Sequence, residues 1–182
     1  MEYFDIPLKD ELWQDFIILK NQSETFKDYK NYFKSLVNWV KSHKSHIECI
    51  HNRLLVINQL DTILEIKIED YLTEGSGISL EMEAKRMFGR HPETLNSLLM
   101  RIGNTLWDLV RYNADKECPN CMDRELEYML VEIIKTKKRK IILDCDLCGY
   151  SENLNGSKYT DGLATIHPVN ERILLNHGVT RI

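Results

Sequence analysis

The chain has 182 residues, of which 43% are hydrophobic and 29% charged, and its formal net charge is −4. This composition is typical of a globular protein with a buried core and excludes a disordered or collagen-like chain. No apolar run reaches the length needed to cross a bilayer, and the first residues, Met1-Glu2-Tyr3-Phe4-Asp5, lack the pattern of a secretion signal. We therefore expect no membrane segment and a cytoplasmic location.

The N-terminal part of the chain has the apolar spacing of amphipathic helices. Leu8, Leu12, Phe16 and Leu19 predict a first helix over residues 8–20. A second helix, preceded by the capping pair Thr25 and Asp28, is predicted by apolar residues at steps of three and four: Phe26, Tyr29, Phe33, Leu36, Val37 and Val40. An aromatic stripe with this spacing favours a buried core face over a ligand-binding face.

The next stretch is predicted to be helical through about residue 60, while the alternation near residues 64–69 leaves helix and strand both open. His43, His46 and His51 lie close together in the sequence, but their spacing does not align them on one helix face. We interpret them as surface or boundary histidines rather than metal ligands.

A short connector and two further helices complete the N-terminal part. Gly75-Ser76-Gly77 predicts a flexible link, because it lacks the Lys-Ser/Thr ending of a phosphate-binding loop. Residues 80–88 predict a short helix that ends at Gly89, and Pro92 marks the start of the next helix. The predicted buried face of that helix consists of Leu95, Leu98, Leu99, Ile102, Leu106, Leu109 and Val110. We interpret residues 113–117 as a polar linker.

Four of the five cysteines form two Cys-x-x-Cys turns, which we call the first knuckle (Cys118-Pro119-Asn120-Cys121) and the second knuckle (Cys145-Asp146-Leu147-Cys148). Zinc prefers tetrahedral coordination by thiolates, and each such turn supplies two of them. Apolar runs between the knuckles flank a polar tip at residues 135–140 and predict a β-hairpin that returns the second knuckle to the first.

Disulfides or a redox dithiol fit this pattern less well, because a redox Cys-x-x-Cys occurs singly beside a βαβ unit. The prediction is therefore one structural Zn²⁺ bound by Cys118, Cys121, Cys145 and Cys148. Four thiolates close the site and leave no position for water or substrate. The fifth cysteine, Cys49, has no predicted role.

On these residues, segment 118–150 resembles a zinc ribbon, with Cys118-Pro119-x-Cys121 similar to its first knuckle and Cys145-x-x-Cys148-Gly149-Tyr150 similar to its second. Met122 stands where many zinc ribbons have glycine, which predicts a less tight first turn. After the ribbon we expect a loop over residues 153–162, a short strand over 163–166 and a last helix between Pro168 and Gly178.

The expected fold class is α+β: an N-terminal helical bundle with a C-terminal four-cysteine zinc-ribbon β-hairpin. The predicted domains are residues 1–112, which are helical, and residues 113–182, which hold the ribbon and the short strand and helix that follow it.

No catalytic motif is present in the sequence, and the carboxylate pairs Glu81/Glu83 and Asp144/Asp146 are of a kind common on exposed elements. We therefore expect a protein that is not an enzyme.

The favoured hypothesis is a protein-binding module. Its size and acidity are similar to those of bacterial immunity proteins, which implies a basic toxin domain as partner. The predicted contact anchors are Trp13, Trp39 and Trp107, with Trp39 the most exposed.

The alternative is a zinc-ribbon protein that binds nucleic acid or has a regulatory role. In that case the basic tip at residues 135–140 contacts phosphate, and Tyr128 and Tyr150 offer stacking surfaces. The charge distribution favours a protein partner, because residues 1–117 hold 15 Lys+Arg against 19 Asp+Glu and residues 118–182 hold nine of each.

Overall fold

A computed structural model describes residues 6–71 and 79–179 of the chain. The predicted connector Gly75-Ser76-Gly77 and the first five residues lie outside the described part. The described residues divide into two compact units: residues 6–69 and 79–109 form the first, and residues 70–71 and 110–179 form the second. The first unit is helical, and the second is an antiparallel sheet followed by one helix, so the α+β fold class is confirmed.

The first unit contains six α-helices. The bounds are α1 (Asp10–Ile17), α2 (Tyr29–Ile50), α3 (Leu54–Ile57), α4 (Leu60–Ile63), α5 (Leu80–Phe88) and α6 (Leu95–Leu109). A 3-10 turn at Ile18–Asn21 extends α1, and a second 3-10 turn at Ile68–Asp70 follows α4.

Helix α2 begins after Asp28, whose carboxylate accepts the backbone N–H of Asn31 at 2.7 Å and so satisfies one of the free donors of the first turn. The predicted aromatic and aliphatic stripe is buried at Phe33, Leu36 and Val40. Phe26 lies before the helix rather than in it, because the capping residue is Asp28 and not Thr25.

The prediction that Trp39 is exposed is wrong, because its side chain is only 4% accessible. Its indole N–H donates to Asp15 Oδ2 at 3.0 Å, and its ring packs edge-on against Phe16 and flat against His43. Helix α1 therefore covers the side of α2 that the apolar stripe alone left open. Trp13 is buried as well. Of the three tryptophans, all of which lie in the described part of the first unit, only Trp107 is partly accessible to solvent.

The single helix predicted through about residue 60 is also wrong. The chain leaves the helical path after Ile50 and resumes only as the single turns α3 and α4. Gln59, between those two turns, has a left-handed backbone with φ of 54°. The apolar spacing persists through this stretch because Leu54, Leu60 and Ile63 are all fully buried, although no continuous helix carries them.

Helices α5 and α6 follow the predicted pattern with small shifts. Gly89 is the C-cap of α5, as predicted. Helix α6 starts at Leu95 rather than at Pro92, and the Thr94 hydroxyl accepts the Ser97 N–H at 3.1 Å in its first turn. A Cβ atom at Gly103 would lie 2.6 Å from the Asn58 carbonyl oxygen, so glycine allows the turn between α3 and α4 to approach α6 closely.

The second unit is a five-stranded antiparallel sheet. Its elements are β1 (Asn113–Glu117), β2 (Glu125–Ile133), β3 (Arg139–Asp144), β4 (Ser151–Asn153), β5 (Ala164–Pro168) and helix α7 (Glu171–Asn176). Strand β2 is central: β3 pairs along one side of it, and β1 and β5 pair with different halves of its other side. Strand β4 extends the sheet beyond β3.

The hairpin predicted between the knuckles is strands β2 and β3, but it lies in a larger sheet than the sequence indicated. The interpretation of residues 113–117 as a linker is wrong, since they form β1, and the three-residue strand β4 was not predicted. The strand expected at 163–166 is β5, which continues through Pro168, so helix α7 begins only after the capping residue Asn170.

Side chains at the β5 end of the sheet form a buried cluster with α7: Tyr112, Leu130, Ile141, Val169 and Leu174. Within the described ranges, no helix combines the length and the apolar character needed to cross a membrane.

Candidate metal centre

The four predicted ligand cysteines lie together, with all four Sγ atoms within 4.8 Å of one another. The Sγ atoms of Cys118 and Cys148 are 3.6 Å apart, and those of Cys121 and Cys145 are 3.8 Å apart. A tetrahedron with metal–sulfur distances of about 2.3 Å has sulfur–sulfur edges of about 3.8 Å. Both separations are far longer than a disulfide bond, which is about 2.05 Å. The donor set and its spacing therefore fit one tetrahedral metal ion.

The two knuckles have the same backbone geometry. The residue after each second cysteine has a positive φ, 56° at Met122 and 68° at Gly149. The N–H of Met122 donates to the Cys118 carbonyl at 3.0 Å, and the N–H of Gly149 donates to the Cys145 carbonyl at 2.9 Å. The expectation that Met122 loosens the first turn is therefore wrong: the turn closes as tightly as its glycine counterpart.

The sheet positions both knuckles at one of its ends. The first knuckle connects β1 to β2, and the second connects β3 to β4. The Cys118 N–H donates to the Arg124 carbonyl and the Cys145 N–H to the Tyr150 carbonyl, both at 2.8 Å. These bonds close each knuckle against the following strand, so strand pairing between β2 and β3 brings all four thiols to one point.

Burial differs between the first and the second cysteine of each knuckle. Cys118 and Cys145 are fully buried in a small cluster with Leu126 and Leu143, whereas Cys148 is exposed. Burial raises the pKa of the Cys145 thiol to about 12, because the low-dielectric surroundings disfavour the thiolate. A hydrogen bond from the Asn120 side chain lowers the pKa of Cys148 to about 7. A metal cation that converts all four to thiolates must therefore displace protons, and binding becomes pH-dependent.

Arg111 fixes the second knuckle to the sheet. Its guanidinium lies 2.7 Å from Glu127 Oε1 and 2.8 Å from Asp146 Oδ2, and Asp146 is inside the second knuckle. Arg111 is 13% exposed and Glu127 only 4%, so the Arg111–Glu127 ion pair is largely shielded from water, whereas Asp146 is 33% exposed. Arg124 adds a longer contact to Asp146 at 3.6 Å. Because the guanidinium of Arg111 is planar, its two nitrogen donors hold Asp146, and with it the second knuckle, in one orientation relative to Glu127.

A second buried carboxylate lies beside the cluster. Glu152 of β4 accepts hydrogen bonds from the Lys116 ammonium and, at 2.9 Å, from the Tyr150 hydroxyl. Burial by itself raises the pKa of Glu152, but the bonds from Lys116 and Tyr150 outweigh it and leave the pKa below its usual range. Asp144, by contrast, has its pKa raised, chiefly by burial, although it accepts the Ser151 hydroxyl.

Sequence reasoning missed Arg111, Lys116 and Glu152 as supports of the cluster. Their roles depend on pairs made across strands, and β1 and β4 carry no apolar alternation that reveals them. Asp144 and Asp146, which looked like a carboxylate pair, bind different groups, Ser151 and Arg111. Glu81 and Glu83 also diverge: Glu81 pairs with Lys85, and the buried Glu83 pairs with Arg86.

The remaining candidates are outside the cluster. Cys49 is an exposed free thiol on α2. His43 and His51 are partly buried and His46 is exposed, as predicted for surface or boundary residues, and His43 lies 3.1 Å from the Asp15 carboxylate. Among residues 6–71 and 79–179, the four cysteines are the one group of three or more His, Cys, Asp or Glu side chains spaced to share a metal ion.

The basic tip at residues 135–140 is partly neutralised by its neighbours. Arg139 lies 2.7 Å and Lys137 3.6 Å from Glu132, and Lys140 pairs with Asp161 at 2.5 Å. Lys135 and Lys138 are exposed, and no carboxylate of the described residues pairs with either. Tyr128, a proposed stacking surface, packs edge-on against Tyr112 instead.

Comparisons of the chain with protein-family models, with curated proteins and with solved structures returned no match. The four-cysteine cluster therefore stands on its own geometry as the evidence for a metal-binding module.

Proposed function

We propose that the cluster of Cys118, Cys121, Cys145 and Cys148 binds a structural Zn²⁺ and that the surrounding strands work as a zinc ribbon. The observation that carries this proposal is the spacing of the four sulfur atoms, which matches the edges of a zinc–thiolate tetrahedron. Zinc is favoured over other divalent metals because it combines soft thiolate ligands with tetrahedral geometry. The ion would hold together two knuckles that otherwise depend on a small buried cluster.

Metal analysis of variants tests this proposal. The purified, reduced protein should contain one zinc per chain, and Cys145→Ser should abolish zinc binding because three thiolates hold zinc far more weakly than four. Cys49→Ser is the matched control, since it removes an exposed cysteine outside the cluster and should leave the zinc content unchanged. Well under one equivalent of zinc in fresh parent protein would contradict the proposal.

We infer further that the protein is not an enzyme and binds another protein in a reducing compartment such as the cytoplasm. Four thiolates fill the coordination sphere of zinc, so the site offers no open position for catalysis. A net charge of −4 supports a basic partner, and a toxin domain neutralised by direct binding is our first candidate for it. Co-purification of the tagged chain from its native cells, with and without nuclease, distinguishes a stoichiometric protein partner from nucleic acid.

Nucleic-acid binding by the tip of the β2–β3 hairpin is our second candidate. It is supported by Lys135 and Lys138, which are exposed and form no ion pair with a carboxylate of the described residues. If it is correct, replacing both with Gln should weaken binding and reduce the slope of log affinity against log salt by about one unit per lost phosphate contact. Gel-shift titrations over a salt series measure this, and no detectable binding by the parent protein at low salt would eliminate the candidate.

A further inference from the structure

Two large aliphatic side chains are exposed at the turn end of the β2–β3 hairpin, opposite the knuckles. Ile134 follows β2 and is 49% accessible, and Leu163 precedes β5 and is 83% accessible. The Ile134 N–H donates to the Leu163 carbonyl at 3.1 Å, one position beyond the last register pair, Ile133 and Ala164. Residues opposite each other in antiparallel strands have their side chains on the same face. We call Ile134 and Leu163 the aliphatic pair.

Unpaired lysines lie next to the aliphatic pair in the same turn. Lys135 follows Ile134 directly, Lys138 lies three residues further, and no carboxylate of the described residues pairs with either. Arg139 is already held by Glu132 at 2.7 Å. The free cations are therefore lysines, whose point charges on flexible stems suit a diffuse negative surface better than one fixed acceptor.

Hydrogen bonds fix the turn that carries these lysines. The Ile133 N–H donates to the Lys138 carbonyl at 2.9 Å, and the Lys137 N–H donates to the Ile133 carbonyl at 2.8 Å. Lys137 takes a left-handed backbone with φ of 56° to close the turn. Because the turn is already formed, binding through it needs little ordering of the backbone.

Exposed aliphatic side chains beside unpaired lysines are complementary to an anionic lipid leaflet. The aliphatic side chains enter the boundary between head groups and acyl chains, while the lysine stems extend and leave their ammonium groups at the level of the phosphates. A nucleic acid would use the lysines but not the aliphatic pair, because bases stack on aromatic rings. The cytoplasmic leaflet carries a negative surface potential, so it supplies the matching charge.

We propose that the turn end of the hairpin binds the surface of an anionic membrane, with Ile134 and Leu163 inserted at the interface and Lys135 and Lys138 on the lipid head groups. Such a contact is peripheral and requires no membrane-spanning helix. It goes beyond the proposed protein-binding function, and it gives the metal-stabilised sheet a second role, which is to present this turn. Two aliphatic side chains and two lysines make a weak, reversible attachment.

Co-sedimentation with vesicles tests the proposal. The zinc-loaded full chain is mixed with vesicles of phosphatidylcholine that contain about 30% phosphatidylserine, and with vesicles of phosphatidylcholine alone, at an ionic strength of about 0.15 M. Each lysine close to an anionic leaflet strengthens binding by about fivefold. The parent protein should therefore bind the anionic vesicles at least about tenfold more tightly than the neutral ones.

A pair of lysine variants tests the position of the charge. Lys138→Gln should weaken binding to the anionic vesicles by about fivefold. Lys158→Gln is the matched control, because Lys158 is an exposed lysine of the same unit that lines a cleft beside Cys148 of the second knuckle. It changes the net charge equally and should leave vesicle binding unchanged.

A pair of leucine variants tests insertion. Leu163→Ser should weaken binding by about five- to tenfold, because a partly inserted leucine gains part of its full transfer free energy. Leu175→Ser is the matched control, since Leu175 is 56% accessible on α7 of the same unit and should contribute nothing. Unchanged zinc content confirms that each variant keeps the fold around the knuckles.

Equal binding of the parent protein to both kinds of vesicle would overturn the inference, as would equal effects within either pair of variants. Binding of oligothymidylate that depends on Lys138, without binding to vesicles, would overturn it in favour of the nucleic-acid candidate. A co-purified acidic protein that is lost with Leu163→Ser, again without vesicle binding, would assign the turn to a protein partner instead. The zinc content and the co-purification experiments test the proposed function separately, so its failure is distinguishable from failure of the membrane contact.

Discussion

Met122 is a methionine held in a backbone conformation that favours glycine. Its φ of 56° matches the 68° of Gly149 at the equivalent position of the second knuckle. For a residue with a Cβ atom the left-handed region costs about 1–2 kcal/mol, and part of this is offset because glycine loses more entropy on folding. The side chain is 75% exposed, so its packing contributes little in return. The first knuckle therefore forms against a local backbone penalty.

Replacing Met122 with Gly should stabilise the zinc-bound knuckle by up to about 1 kcal/mol, because it removes that penalty and exposes no new apolar surface. The matched change, Gly149→Ala, should destabilise the second knuckle by about 1 kcal/mol. A Cβ atom at Gly149 meets no other atom within 4 Å, so only the backbone conformation is tested. Competition for zinc with a colorimetric chelator measures both changes, and shifts in the same direction would show that φ is not the cause.

At the residue scale, the sequence predicts side chains whose neighbours are close in the chain and fails for side chains whose neighbours are distant in the chain. The cysteine spacing alone identified the four side chains that the fold brings within 4.8 Å of one another, because a Cys-x-x-Cys turn is local. Trp39 was misjudged because its cover, Asp15 and Phe16, comes from a helix more than twenty residues earlier in the chain. No pattern within α2 indicates a partner at that distance.

Among the secondary-structure elements, the sequence predicted the helices and strands that carry an apolar pattern of their own. It missed strands β1 and β4, which form by pairing with neighbouring strands. Helices α1, α2, α5 and α6 were predicted because each buries a regular apolar face, and strands β2 and β3 were predicted because they are apolar runs on either side of a polar tip. Strands β1 and β4 have the sequences Asn-Ala-Asp-Lys-Glu and Ser-Glu-Asn, which no strand propensity favours. They are strands because β2 and β3 offer them backbone hydrogen-bond partners next to the knuckles.

Arg111 should be the side chain outside the cluster on which the second knuckle depends most. Arg111→Met removes the ion pair of Glu127, whose side chain is 4% exposed, and should cost about 3 kcal/mol, the lower end for breaking a buried ion pair. The midpoint for urea-induced zinc release should then fall by roughly 1 M or more. Adding Glu127→Gln removes the buried negative charge and should recover part of the loss.

Arg139→Met is the control for this prediction. Arg139 pairs with Glu132 at 2.7 Å in the same sheet, but its side chain is 58% exposed. Water screens such a pair, so its loss should cost far less stability than the loss of Arg111. Equal losses for Arg111→Met and Arg139→Met would mean that burial of the Glu127 pair does not stabilise the second knuckle.

For the whole molecule, the amino-acid composition gives the net charge but not the positions of the charged side chains in the fold. Residues 118–182 hold equal numbers of acidic and basic side chains, so the sequence predicted a neutral ribbon. Strand pairing separates some of these charges, because the β2–β3 hairpin places its turn, with Lys135, Lys137 and Lys138, at one end of the strand pair and both knuckles at the other. A net charge is a sum over the chain and does not describe how the charge is distributed along the sheet.

The two units should respond differently to removal of the proposed Zn²⁺. The second unit, of roughly 70 described residues, has two small buried clusters, and a core of that size seldom supplies more than about 3–5 kcal/mol. Zinc binding to a four-ligand site is worth more than that, on the order of 10 kcal/mol. The first unit has its own apolar core, with Phe16, Leu36 and Leu98 fully buried.

Chelation of the proposed Zn²⁺ should therefore unfold the sheet and leave the helical unit folded. All three tryptophans, Trp13, Trp39 and Trp107, lie in the first unit, so their fluorescence reports on the folding of that unit. We expect a strong chelator to abolish the strand contribution to circular dichroism while the tryptophan emission maximum and its urea midpoint stay constant. Cys49→Ser should behave like the parent, and Cys145→Ser should resemble the chelated protein without added chelator. A shift of tryptophan emission on chelation would show that the folding of the helical unit also requires the metal.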